Sequence, residues 1–395
     1  MQQAGMNLQK WASNSKTLQR LFQKGVPQPA DMATDTKVLG MHWNTEEDTL
    51  KLSLTSTLNF LKTKLSTKRY VLQAANRIYD IVGLLSPFTI RVKIMFQKLW
   101  ELKISWDNSL PENIQQEWNT WCNEIPQLQV ISISRFLFEE LRHTTLFYEL
   151  HVFTDASPKA YGAVVYLRTS DSESTVEIHL LLAKARVAPL KKLTLPRLEL
   201  MGALIGSRLL RYVEKTSLQD HEVYLWTDST ITWKWIQGQS HRWETFVANR
   251  VTEIQNTTPT ARWRFCPGKE NPADCLTRRL SASNLESNNL WWTGPSCLKK
   301  PSPEWQQAHP ERDDLGDMED KDIKTNVLQV TTAVDDPVLY LQRYSELSRV
   351  LRVTAWIYRF KENTGALKEL SNYLLTAELK RAEQYWIKMT SEFYA

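Results

Sequence analysis

The chain has 395 residues, 42% of them hydrophobic, with 16 Trp, which is enough for two or three domains with sizeable cores. A formal charge of +5 is mildly basic, compatible with a polyanionic partner without requiring one. Four dispersed cysteines without a CxxC pair exclude a disulfide framework and a thiolate zinc site, and no apolar run is long enough to span a membrane.

The pattern in chain order predicts five regions. Residues 1–23 read as an amphipathic helix, "MNLQKWASNSKTLQRLF", of mid-domain character, so the reading frame is expected to begin inside a larger ancestral protein. "KVLGMHWNTEEDTLKLSL" predicts a hairpin around the polar turn Asn44–Asp48. From Thr67 to Lys103 the periodicity is helical, with Gly83 and Pro87 placed to split it in two. Residues 110–128 form a further helix, opened by Pro111 and striped by Trp118, Trp121 and Cys122.

The character changes at Phe147. Apolar runs at 147–154, 160–167 and 176–187 predict three strands, followed by a helix from Leu195 to Lys215. "EVYLWTD" is a fourth strand and "ARWRFC" a fifth, with helices between them, and "NPADCLTRRL" begins a last helix. That order predicts a mixed α/β fold. Prolines and an excess of acids over 294–336 predict a weakly ordered linker. Helical periodicity resumes at 337.

Four acids stand in special local contexts. Asp155 ends the first strand of the α/β region in "FTDAS", and Asp228 ends the fourth in "LWTDST". Glu199 lies in the long helix, among Leu195, Leu198, Leu200 and Met201, and Asp274 opens the last helix. Singly, each strand-end Asp reads as a turn or helix cap and Glu199 as a solvated residue. Together they predict a shared cation site, because clustered carboxylates repel unless neutralised, and Mg²⁺ prefers hard oxygen ligands. Two such ions activate a water and stabilise the leaving oxygen of a phosphodiester.

The motifs "FTDAS…YGAVVY", "LPRLELMGA", "LWTDS" and "NPADCLTR" resemble the ribonuclease H-like domain of a pol polyprotein of the BEL/Pao class of long-terminal-repeat retrotransposons. The likeness extends upstream. "LQKWASNS" resembles the tail of a reverse transcriptase palm and "KVLGMHWN" its primer grip. "TKRYVLQAANRIYDIVGLLSPFTIRVKIMFQKLW" and "ISWDNSLP" resemble its thumb and connection, and "ELSRVLRVTAWIYRF" the stretch preceding an integrase.

The resemblance implies a division into 1–66 (palm remnant and hairpin), 67–146 (thumb and connection), 147–293 (ribonuclease H-like), 294–336 (linker) and 337–395 (pre-integrase). It implies a ribonuclease H-like α/β fold, a five-stranded mixed sheet with flanking helices. The implied activity is two-metal cleavage of the RNA strand of RNA–DNA hybrids. Asp155, Glu199, Asp228 and Asp274 match the catalytic, metal-binding positions for two Mg²⁺, with Mn²⁺ as a substitute. Ser157, Lys159, Arg197, Ser229, Arg278 and Arg279 are candidate phosphate contacts close to them. Lys62, Lys64, Lys68, Arg69, Arg91 and Lys93 are candidates for tracking a duplex upstream. The expected partners are a hybrid or other nucleic-acid duplex and the missing polymerase and integrase parts. The expected location is intracellular, in a cytoplasmic particle or the nucleus, with no membrane.

Departures accompany the likeness. There is no YxDD-like polymerase motif and no His/Cys zinc module. The loop "CPGKENPAD" lacks the His of many relatives, leaving Lys269 or Glu270 to take its part, and "YDIVG" lacks a Pro after its Asp. The family segment is also labelled a Pao retrotransposon peptidase, but an aspartic protease needs D-[ST]-G loops, and "TDAS" and "TDST" lack the Gly. The alternative to a hybrid nuclease is an inactive nucleic-acid-binding or structural remnant.

Overall fold

A computed structural model describes residues 12–18, 20, 35–38, 40–63, 65–137, 147–171, 175–215, 221–259, 261–305, 346–363 and 373–393. The chain divides into two compact units, residues 1–325 and 326–395.

Most of the predicted helix over 1–23 lies outside the described residues. The predicted hairpin forms as β2 (Met41–Asn44) and β3 (Thr49–Leu52), in the register Asn44↔Thr49. Asn44 Oδ1 closes the turn by accepting from the amides of Glu46 (3.0 Å) and Glu47 (3.2 Å). Two further strands, β1 (Asp35–Val38) and β4 (Ser132–Ser134), complete a four-stranded sheet in the order β1-β2-β3-β4.

The upstream helices are α1 (Thr55–Leu61), α2 (Lys68–Ala75), α3 (Ser86–Glu101) and α4 (Glu112–Glu124). The split between α2 and α3 falls where expected. Thr67 caps α2 by accepting from the Tyr70 amide, Gly83 takes φ +79°, and Pro87 sits in the first turn of α3. The Asp80 carboxylate accepts from the amides of Leu84 (2.9 Å) and Leu85 (2.7 Å), fixing the entry to α3. Trp118 and Trp121 of α4 are buried, Trp121 stacked on Phe88 of α3.

Lys68 is no duplex contact in this arrangement. It is buried over the Trp100 ring, 3.5 Å from its centroid, with Nζ donating to the Ile104 carbonyl. Arg69 is held by Asp107, and Lys64 lies outside the described residues.

The second sheet has the order β7-β6-β5-β8-β9: β5 (Phe147–Ala156), β6 (Ala160–Ser170), β7 (Val176–Val187), β8 (His221–Thr227) and β9 (Arg262–Phe265). β5, β6 and β7 pair antiparallel, whereas β8 pairs parallel with β5 and with β9, giving the mixed sheet expected. The helices are α5 (Leu195–Glu214), α6 (Thr230–Gln237), α7 (Thr245–Thr257), α8 (Asp274–Arg278), α9 (Ala282–Glu286) and α10 (Asn289–Thr293).

Strand alternation sorts the two faces. Val152, Ala163, Val165 and Leu225 pack under Leu198, Ile205 and Leu209 of α5. Phe153, Val164, Tyr166 and Trp226 enter a cluster that also holds Leu85 and Phe88 of the upstream segment, Leu276 of α8 and Trp291 of α10. The stretches 67–146 and 147–293 thus share one core. Backbone bonds staple them: Ala183 N to Val82 O at 2.8 Å, on the β7 edge, and Leu280 N to Pro87 O at 3.1 Å.

Residues 294–305 depart from the linker expectation. They pack against the sheet, with Leu298 and Trp305 buried and Arg168 donating to the carbonyls of Leu298 (2.7 Å) and Lys300 (3.3 Å). The prolines mark short 3₁₀ turns here, and two apolar side chains anchor them. Residues 306–336 lie outside the described residues.

The second unit is a helix pair, α11 (Leu347–Asn363) and α12 (Thr376–Phe393), joined across buried Val350, Ala355, Ala382 and Trp386. Trp386 Nε1 donates to Thr354 Oγ1 at 2.8 Å, and Arg359 pairs with Glu378. Among the described residues, no helix is long and apolar enough to cross a membrane.

Candidate metal centre

The parallel register pairs Thr154 of β5 with Thr227 of β8, so the next residues along, Asp155 and Asp228, emerge side by side. Thr154 Oγ1 ties the strands by donating to Trp226 O at 3.0 Å. Asp155 is fixed on its other side by antiparallel pairing with Gly162.

Glu199 arrives on α5. Glu199, Gly202 and Gly206 occupy i, i+3 and i+7, one face of the helix. A Cβ on Gly202 would lie 3.0 Å from Asp155 O, and one on Gly206 2.7 Å from Thr154 Cγ2. The two glycines let the helix rest on the strand backbone, which lowers the Glu199 carboxylate onto the strand ends.

One carboxylate oxygen from each of Asp155, Glu199 and Asp228 lies within 4.8 Å of the others. Asp155 is 5% exposed and Glu199 8%. Burial first, then the neighbouring Asp228, pushes Asp155 up to about 7. Burial, then Asp155 and Asp228, pushes Glu199 up to about 10. Burial also raises Asp228. Glu199 Oε2 and Asp228 Oδ1 are buried without a hydrogen-bond partner. Two orphaned acceptors in an all-oxygen, like-charged trio fit a hard divalent cation, and Asp155, Glu199 and Asp228 are the residues that would hold it.

Asp274 stands outside this trio, on the first turn of α8, with Oδ1 taken by Arg278 Nε at 2.5 Å. Its charge still raises Asp155, Glu199 and Asp228. Three of the four expected positions therefore gather, and the fourth borders them.

Two residues of the site escaped the sequence reading. Thr277, one turn after Asp274, donates to Asp155 Oδ2 and draws its pKa down against burial. Asn271, fully buried, donates to Thr154 O at 2.9 Å, and its side chain near Asp228 draws that carboxyl down against burial. "NPADCLT" carries both, but which way each side chain points is set by the packing of α8 on the sheet. Gly268 leaves room for Asp228, since a Cβ there would lie 3.1 Å from Asp228 Oδ2.

The candidate phosphate contacts behave unequally. Ser157 Oγ is engaged in its own turn, with Ala160 N and O and Lys159 N, and Ser229 Oγ caps α6 by accepting from Thr232 N at 3.2 Å. Lys159 is exposed, and Arg197 lies over the Phe246 ring at 5.2 Å. Arg278 and Arg279 are exposed at the end of α8. Lys269 and Glu270 sit on a 3₁₀ turn before Asn271. Cys266 and Cys275 are buried thiols raised chiefly by burial, Cys275 to about 12, which makes them poor nucleophiles.

A family model described as the Pao retrotransposon-like RNaseH-like domain matches residues 67–229. No curated protein matches the chain. Among solved structures, the N-terminal RNase H domain of rv2228c from Mycobacterium tuberculosis, fused to maltose binding protein, is 13% identical, over 35% of this chain and 95% of that one, with a TM-score of 0.23. LC11-RNase H1 in complex with RNA/DNA hybrid is 16% identical over 35% and 99%, with a TM-score of 0.26. The foamy viral protease-reverse transcriptase dRH in complex with double-stranded DNA is 11% identical over 59% of this chain and 38% of that one, with a TM-score of 0.36. Residues 67–229 thus match the Pao retrotransposon-like RNaseH-like domain, a range that takes in the motifs "FTDAS", "LPRLELMGA" and "LWTDS", with "NPADCLTR" beyond it.

Proposed function

We propose that this chain hydrolyses the RNA strand of RNA–DNA hybrids. The observation that carries the reading is the convergence of Asp155 and Glu199, both buried, with the half-buried Asp228, one oxygen from each lying within 4.8 Å of the others. The energetic cost of that cluster is borne by no structural ion pair among the described residues: none of the three acids forms one, and two of their oxygens have no partner. A retained cost of this kind marks a functional site.

Mg²⁺, or Mn²⁺ in its place, supplies when bound an ionised water at neutral pH and charge neutralisation at the leaving oxygen. The chain supplies the rest. The strand ends hold Asp155 and Asp228 in place, and α5 fixes Glu199 through its glycine contacts. Thr277 orients Asp155, and Asn271 fixes the strand end through the Thr154 carbonyl. Asp274 adds negative potential at the rim, tempered by Arg278. Exposed Lys159, Arg278 and Arg279, with Arg197 on the helix that carries Glu199, are the proposed contacts to the phosphates of a duplex recognised by shape. As a fragment of a retrotransposon polyprotein, the chain would act beside polymerase and integrase parts supplied elsewhere.

The test is cutting of an end-labelled hybrid by the purified chain with Mg²⁺, by Mn²⁺ in its place, and by D228N. Mg²⁺-dependent RNA cleavage lost in D228N supports the proposal. Absence of metal-dependent cutting, or equal cutting by the variant, leaves the inactive nucleic-acid-binding remnant as the description.

A further inference from the structure

A groove of about 670 Å³ lies between the upstream helices and the end of the α8–α9 segment. One wall is Asn113, Gln116 and Thr120 of α4, and the other is Arg278, Arg279 and Asn284. Its rim is made of amides, a hydroxyl and guanidinium groups. Arg279 makes no ion pair among the described residues, and the one acid lining the groove, Glu117, is paired with Lys98 at 2.7 Å. Met95 and Trp121 also line it, but its guanidinium and amide rim suits an anionic occupant and not a cation.

The groove is pre-formed. Arg91 of α3 grips Glu124 of α4 through both carboxylate oxygens, at 2.5 and 2.8 Å. Glu124 Oε2 also accepts from Ala282 N at 2.9 Å, and Arg91 donates to Leu280 O at 3.2 Å. Arg91, a candidate duplex contact from sequence, therefore clamps the two walls together. At the end of α8, Arg279 adopts φ +68°, an unusual conformation for a non-glycine residue.

One short helix, α8, carries residues to both the groove and the metal centre. Within five residues, Asp274 and Thr277 face the acidic trio, while Arg278 lines the groove and reaches back to Asp274.

We infer that this groove seats the phosphodiester backbone of the nucleic-acid duplex as it leaves the metal centre, so that α4 of the upstream segment forms part of the substrate site. The inference rests on the hybrid-nuclease reading for the identity of the duplex. Its chemistry is that of backbone positioning: cationic and neutral donors, rigidly held, with no feature that reads base identity.

The experiment is binding of a fluorescent RNA–DNA hybrid, long enough to overhang the metal centre, to the full chain in EDTA across a salt series. N113E and R279E should each weaken binding about tenfold or more, and R279E should lower the slope of log affinity against log salt by about 1. R211E removes the same charge 12 residues along α5 from Glu199, about 18 Å at helical rise, and should change binding by less than about threefold. Unchanged melting temperatures exclude unfolding, and Q116E replaces N113E if that variant fails to fold. Wild-type affinity in both N113E and R279E, or no salt-dependent binding by the wild type, overturns the inference. Cutting of a hybrid too short to leave the metal centre reports the nuclease reading separately. Groove-dependent binding without any cutting removes that reading and leaves the groove assignment standing.

Discussion

Neutralising one of the three gathered acids should stabilise the metal-free protein. Asp155 is raised from 3.8 to about 7, mainly by burial and secondarily by Asp228. A carboxyl whose folded pKa lies above its unfolded one releases its proton first in the unfolded chain. Its penalty is therefore absent below about pH 4, grows as pH rises towards 7, and levels off above that. At about 1.4 kcal/mol per tenfold change in proton affinity, the full penalty at pH 8 is about 4 kcal/mol. The pull of Thr277 and Ala156 is already contained in that value; D155N avoids the penalty but must seat an amide NH2 group where a carboxylate oxygen sits, about 1–2 kcal/mol.

In EDTA at pH 8, D155N should thus be more stable than the wild type by about 2–3 kcal/mol, roughly 4–12 °C in melting temperature. Repeating the melts at pH 5 should shrink the margin by about 2–3 kcal/mol, because most of the penalty has then gone. Mg²⁺ at a hundred times its dissociation constant should restore about 2.7 kcal/mol to the wild type and little to the variant. A D155N protein that melts below the wild type at pH 8 in EDTA would refute the reasoning. So would a margin that stays constant down to pH 5.

G206A should cost about 1–3 kcal/mol in denaturant unfolding, since its Cβ would meet Thr154 Cγ2 at 2.7 Å, and should reduce the Mg²⁺-induced rise in melting temperature by lifting Glu199. T277A removes the hydroxyl that draws Asp155 down, so Asp155 rises further, and the acid limb of Mg²⁺ protection, read by melts from pH 5 to 9, should move to higher pH. W305A should destabilise the first unit by about 3–5 kcal/mol, measured by chemical denaturation, because Trp305 packs against His151, Tyr224 and Trp226. A loose linker at that position would give no change.

The legible parts were those set by local pattern. Apolar runs at 147–154 and 160–167 announce strands, and the adjacent β5–β8 pair follows once Asp155 and Asp228 are read as strand ends. The gathering of Glu199 was legible only as order of motifs. The device that brings it in, Gly202 and Gly206, reads locally as two helix-weakening residues. Lys68 read as a duplex-tracking cation because its partners, Trp100 and Trp106, lie more than thirty residues away. Composition misled at 294–305, where prolines and charge outweigh Leu298 and Trp305, although two buried anchors are enough to hold a short segment on a sheet. Asp274 opened the last helix as expected, but the i, i+4 Arg278 on the same short helix takes its carboxylate, a pairing that helical spacing alone makes available.

The matched range, 67–229, begins at the residue that caps α2 and crosses from the upstream helices into the sheet. The packing gives this a physical basis. A five-stranded sheet has two apolar faces to cover. α5 lies on one side, backed in turn by α7, while Phe153, Val164 and Tyr166 on the other share a core with Leu85 and Phe88 of the upstream segment. The β7 edge is likewise occupied by Val82, and an added Cβ at Gly83 would sit 1.9 Å from Ala183 O. Stripping residues 67–135 from the sheet would expose that face and open that edge together, so the upstream helices belong to the ribonuclease H-like core itself. Asp274 and α8 fall beyond the matched range, yet they pack on the same shared face through Leu276 and carry Thr277 to Asp155.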